Sequence, residues 1–103
     1  MTLRITRAEG SRSRTTLKLE GKVAAEWVGL LERECSDLLR SRGPVSLDLA
    51  GVAFVDRAGV EALERLSRAG VEIHCRPGPV ASVLAGEGVR VTLDADGIGG
   101  RRS

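Results

Sequence analysis

Residues 45–60 read Val45-Ser46-Leu47-Asp48-Leu49-Ala50-Gly51-Val52-Ala53-Phe54-Val55-Asp56-Arg57-Ala58-Gly59-Val60. Val45, Leu47, Leu49, Val52, Phe54 and Val55 make this the densest apolar run of the chain, bounded by Gly43-Pro44 and by Asp56. A run of that length between turn signals predicts a buried central strand. Gly51 predicts a break where the strand loosens into a loop. Asp56 is placed to cap a helix from about Arg57 to Arg68, since a short acidic side chain accepts from the free N–H groups of a first turn. The expected inward face of that helix is Val60, Ala62, Leu63 and Leu66, and Gly70 is its expected left-handed cap.

Upstream, Leu17, Leu19 and Val23 alternate with polar residues between Thr15 and Val23, which predicts a strand. Leu3 and Ile5 predict another, and the polar stretch from Glu9 to Arg14 joins the two as a hairpin. From Ala24 to Arg42 the period changes. Trp27, Leu30, Leu31, Cys35, Leu38 and Leu39 form one stripe along a helix of about four to five turns, which Gly43-Pro44 stops. Downstream, Val71, Ile73 and Cys75 alternate as a further strand, joined to the central one by a right-handed parallel crossover. Arg76-Pro77-Gly78-Pro79 turns the chain into a short helix around Val80, Val83 and Leu84 that ends at Gly86. Val89, Val91 and Leu93 predict an edge strand. The expected fold is α/β, in the order β-β-α-β-α-β-α(-β), with a small mixed sheet covered by helices mainly on one face. Residues 1–93 are expected to form a single domain, and 94–103, with three glycines and little that is apolar, a flexible C-terminal tail.

Composition narrows the function. Aromatic residues are only 2%, namely Trp27 and Phe54, so the chain offers few rings for stacking bases. The net charge of +2 comes from mixed signs, which describes a solvated surface rather than a phosphate-binding stripe. The local excess at Arg4, Arg7, Arg12 and Arg14, and at Arg101 and Arg102, reads as a solvated loop and tail, and no nucleic-acid partner is expected. No run approaches the roughly 18 apolar residues of a membrane span, so no membrane insertion is expected. Cys35 and Cys75 are too few for a disulfide scaffold, and with no apolar leader the expected location is cytoplasmic, with both thiols reduced in the core.

A catalytic site needs a nucleophile with its base, or a metal cluster. The only histidine, His74, lies between Ile73 and Cys75 in a strand, so it faces away from Cys75 and cannot activate it. Cys35, His74 and Cys75 are too scattered for zinc, and no phosphate-cradling glycine motif opens a helix. Glu61 and Arg65, four residues apart, are expected to form an exposed helix pair, and Asp48 to be a polar residue on the less buried face of its strand. The chain is expected to be no enzyme and to hold no cofactor or metal.

The junction at Asp56 remains. A buried strand runs into an acidic cap and then into small residues, Ala58 and Gly59, that either leave first-turn N–H groups open to an acidic partner or allow close packing on the sheet. Here residues 45–60 resemble the signature of STAS domains, the domains of bacterial anti-sigma-factor antagonists and of sulfate-transporter tails. That signature is an apolar strand, Asp-Leu-(Ser/Ala)-Gly-Val, two or three residues, then Asp-Ser-Ser-Gly-(Leu/Val). Leu19-Glu20-Gly21-Lys22-Val23 also resembles the family's second strand, and the element order matches from about Leu3 to Leu93.

The resemblance implies a protein-binding regulatory module. In antagonist members the first serine after the aspartate is phosphorylated by an anti-sigma-factor kinase, and the unphosphorylated form binds that partner. Asp56, Gly59 and Val60 match the motif; Arg57 stands at the phosphoserine position and Ala58 at the next serine. Neither carries a hydroxyl, so the family's phosphorylation has no acceptor here, and a fixed positive charge replaces a phosphate of about −1.5 to −2. The expectation is a module that binds constitutively, is controlled elsewhere (Ser67, Ser82 or Thr92), or takes a more acidic partner. Its expected contact residues are Asp56, Arg57, Ala58, Gly59, Glu61 and Glu64, and its expected partner an anti-sigma factor or serine kinase. The alternative is a STAS-like cytoplasmic subunit of an ABC-type lipid or solute transporter, with transporter components as partners. The family usually continues into a further C-terminal helix, for which the residues after Leu93 carry no apolar stripe.

Overall fold

A computed structural model of the chain describes residues 3–9 and 15–93. The turn within the first hairpin and the segment 94–103, expected as a tail, lie outside the described residues. Strands β1 (Leu3–Glu9) and β2 (Thr15–Val23) precede helix α1 (Ala25–Ser41) and strand β3 (Val45–Val55). Helix α2 (Arg57–Arg68), strand β4 (Glu72–Cys75), helix α3 (Pro79–Gly86) and strand β5 (Thr92–Leu93) follow. The strands form one sheet in the order β1-β2-β3-β4-β5, antiparallel at β1/β2 and parallel thereafter.

Each parallel pair is joined through a helix and the strands advance in one direction, so right-handed crossovers put the helices on the same side. Burial follows. Leu17, Leu19, Val45, Leu47, Leu49, Ile73 and Cys75 are buried together with Leu31, Leu38, Leu63, Leu66, Ala81 and Leu84 of the helices. The alternate residues face the other way: Lys18, Glu20, Ala50 and Glu72 are exposed. The helices end as the glycines predict. At the end of α2 the Gly70 N–H donates to Ser67 O, at 3.1 Å, and the Val71 N–H to Leu66 O, at 3.0 Å. Gly70 takes φ 105°, and this left-handed turn delivers Val71 into the core. No helix among the described residues is long and apolar enough to cross a membrane.

Five expectations are corrected. The strand does not break at Gly51: β3 runs on to Val55 and absorbs two register shifts against β2, one on each side of the Gly51–Val52 pairing. The Ala50 N–H freed at the first shift donates to Asp48 Oδ1, at 2.9 Å. The buried stripe of α1 is Val28, Leu31, Cys35 and Leu38; Leu30 points outward, while Trp27 and Leu39 are half-buried against the core. Val71 precedes β4 rather than opening it, and β5 is only two residues long, Val89 and Val91 being loop residues packed on the core. Phe54, placed by its apolar neighbours in the buried run, is 49% exposed.

Candidate functional site

Asp56 sits where β3 ends and α2 begins. Its Oδ1 accepts from the Gly59 N–H at 2.8 Å, which is the expected cap of α2. Its Oδ2 accepts from the Ala25 N–H at 3.0 Å, in the first turn of α1. Ala24, which precedes α1, supplies no side-chain cap of its own. One carboxylate therefore holds the N-termini of two helices side by side. Its own N–H donates to Val23 O at 3.1 Å, which ties the junction to the end of β2.

Gly59 is buried beneath this cap, and its N–H is taken by Asp56. A Cβ built there would lie 2.3 Å from Val23 O and 2.9 Å from Val55 Cγ1. Of the two roles open for this glycine, close packing of α2 on the sheet is the one its surroundings require. Arg57 is exposed and Ala58 half-buried; among the described residues nothing accepts from either N–H group. Further along α2, Glu61 is exposed, and Glu64 is half-buried with its carboxylate 2.9 Å from Arg68.

The expected Glu61–Arg65 pair does not form. The Arg65 guanidinium instead reaches across to α1 and binds both oxygens of Glu32, at 2.8 and 3.2 Å. This hydrogen-bonded pairing raises the Arg65 pKa, with Glu61 and Glu64 adding to it through their charge. The fork of Arg65 fits a carboxylate in two bonds, so the neighbouring helix supplies a better partner than the next turn does. His74 lies half-buried on the face opposite Ile73 and Cys75, as expected, with Nε2 3.1 Å from Glu72 Oε1.

Two residues of this end of the molecule went unselected in the sequence. Lys22 is paired with Phe54 across β2 and β3, and its Nζ stands 5.5 Å from the centroid of the Phe54 ring. Both side chains lie on the sheet face opposite Val23 and Val55, which are buried under the helices. The junction thus carries an aromatic ring under a cation on one side of Asp56, and Arg57 on the other.

No protein-family model and no curated protein sequence matches the chain. Solved structures do. An anti-sigma factor antagonist from Mycobacterium paratuberculosis matches with a TM-score of 0.72 at 14% identity, over 84% of this chain and 79% of its own. The anti-sigma factor antagonist SpoIIAA in its unphosphorylated form matches with a TM-score of 0.62 at 13% identity, over 90% of this chain and 91% of its own. A putative anti-sigma factor antagonist from Thermotoga maritima matches with a TM-score of 0.61 at 16% identity, over 89% and 87%. At these identities the likeness is one of fold, and it agrees in sheet, helices and element order with the resemblance carried by residues 45–60: the chain has the STAS, or SpoIIAA-like, fold found in anti-sigma factor antagonists.

Proposed function

We propose that this chain is a protein-binding regulatory module of the anti-sigma-factor-antagonist type, which docks through the surface at the start of α2 and is not switched by phosphorylation there. The fold likeness supports the class of function. The observation that carries the rest is the Asp56–Val60 junction. Asp56 holds the helix start in place through two hydrogen bonds, and the residues it presents to solvent, Arg57 and Ala58, have no hydroxyl to receive a phosphate. In this reading Arg57, Ala58, Glu61 and Glu64 make the contacts, while Asp56 and Gly59 shape the surface from within.

The test is to mix the full chain with purified anti-sigma factors of the kinase type, with and without ATP, and to follow the complex by calorimetry and mass spectrometry. A complex should form that ATP does not dissolve, with no phosphate on residues 56–60. Arg57→Glu should weaken it about tenfold, in the range of a single interface charge reversal. Absence of a complex with every such factor would end this reading. Phosphate on Ser67, Ser82 or Thr92 accompanied by release would move the switch to that residue.

A further inference from the structure

The two edges of the sheet differ. At one, β5 is two residues long. At the other, β1 runs for seven residues and, among the described residues, pairs with β2 alone. An edge strand of that length presents a row of unpaired N–H and C=O groups, a template for another strand. Proline, bulges and charge are the usual means of blunting such an edge. β1 has no proline, and its register against β2 runs without a shift from Leu3 to Glu9. What remains is charge. Arg4 is matched inside the chain by Glu20, at 3.7 Å, whereas Arg7 is exposed and makes no salt bridge among the described residues. An unmatched charge guards an edge only against strands that bring no counter-charge.

The counter-charge lies beside the same edge. Leu3, Ile5, Leu30 and Glu34 line one groove where β1 meets α1. Leu30 is 43% exposed and Ile5 is half-buried, so the groove keeps aliphatic surface in water. Glu34, half-buried there, has no salt bridge among the described residues. The groove thus suits a strand with an apolar side chain and, two residues on, a cation. β1 is such a strand. Ile5 and Arg7 pair with Leu19 and Leu17, which are buried under the helices, so both project to the helix side.

Two copies related by a two-fold axis normal to the sheet can pair their β1 strands antiparallel, with each side chain opposite one of the same face. Centred on Ile5, the pairing sets Arg7 of the second copy opposite Leu3; centred on Thr6, it sets that Arg7 opposite Ile5. In both registers the arginine arrives beside the groove that holds Glu34. Centring on Arg4 or on Arg7 would set two arginines face to face, which is unfavourable. We infer that this chain forms a homodimer through β1, with Ile5 and Leu30 of both copies lining the seam and Arg7 of each copy paired with Glu34 of the other. The symmetry brings in equal numbers of cations and anions, so the surface is complementary to itself. The dimer is independent of the function proposed for the start of α2.

The test is analytical ultracentrifugation of the full chain from about 1 µM to 1 mM, since a strand pair of this length lies at the small, transient end of specific interfaces. A reversible monomer–dimer equilibrium is expected. Arg7→Glu and Glu34→Arg should each weaken it about tenfold. The chain carrying both changes should regain most of the loss, because the exchanged charges attract again. Circular dichroism should stay the same in every variant. Hydrogen exchange gives a second measurement: the β1 amides that point away from β2 should slow as the concentration rises. A chain that stays monomeric throughout overturns the inference. So does a dimer indifferent to both single changes, a double variant in which the two losses simply add, or β1 amides that exchange equally fast in monomer and dimer.

Discussion

Asp56 accepts from two N–H groups that belong to different helices, and they differ in how far they could be foreseen. The bond to Gly59 follows from an aspartate placed just before an amphipathic run, a local rule. The bond to Ala25 spans 31 residues and depends on how the crossover brings α1 beside α2, which no local rule contains. Removing the side chain should release both. Asp56→Ala is expected to cost about 2 kcal/mol in urea unfolding, the sum of two cap bonds. Asp56→Asn should cost less, since its single carbonyl oxygen can still serve Gly59. Equal losses for the two variants would show that the Gly59 bond contributes nothing, and an Asp56→Asn chain as stable as the native one would show the same of the Ala25 bond. Gly59 offers a second comparison. Glycine to alanine inside a helix ordinarily stabilises by about 0.5–1 kcal/mol. That is expected for Gly29, which stands in α1 with open space around it, but Gly59→Ala must force a methyl group into Val23 O. The overpacking of Gly59→Ala should exceed the helix-propensity gain and destabilise by about 1–3 kcal/mol. Calorimetric melting of the two variants should therefore move in opposite directions.

At the scale of elements, periodicity identified every helix and every strand longer than two residues, because each buries one face against the same core. What it missed lies in the fit between elements. The register shifts of β3 are defined only against β2, so the apolar string from Val52 to Val55 gave no hint that Phe54 leaves the core. Arg65 had an acid four residues away, and only the packing of α1 on α2 supplied Glu32 instead. Helix α1 carries a buried group whose titration links its packing to pH. Burial first, then the charges of Glu34 and Glu32, push the Cys35 thiol from 9.0 up to about 12. Between those values the folded chain keeps a proton that the unfolded chain has released, so unfolding is favoured as pH rises. This contribution to stability is complete below about pH 9 and declines above it, by at most about 1.4 kcal/mol per pH unit. The urea midpoint should therefore fall more steeply between about pH 9 and pH 10 for the native chain than for Cys35→Ala, which starts lower because of its cavity. Parallel pH profiles would show that Cys35 is not the group responsible.

For the molecule as a whole, the order of elements makes a two-layer structure in which the helices share one side of the sheet. The opposite side is covered by none of the described elements. One row of it runs across all five strands as Thr6, Lys18, Asp48, His74 and Thr92. This asymmetry was legible because Leu17 and Leu19 alternate with Lys18 and Glu20, and a polar residue at every second position needs water on that face. It yields a test on two adjacent residues. Leu17 is 1% exposed and packs among the leucines and valines under the helices. Leu17→Ala should cost about 2–5 kcal/mol, the transfer of its side chain plus the cavity left behind. Lys18, the next residue, points to the open side. Lys18→Ala should change stability by no more than about 0.5 kcal/mol. If a further layer closed that side, Lys18 would bury its stem under it and its removal would cost several times more. A large loss at Lys18 in urea unfolding would thus overturn the two-layer arrangement. A large loss at Leu17 alone would leave that face open, with the Phe54 end of β2 and β3 accessible from the same side as Lys18.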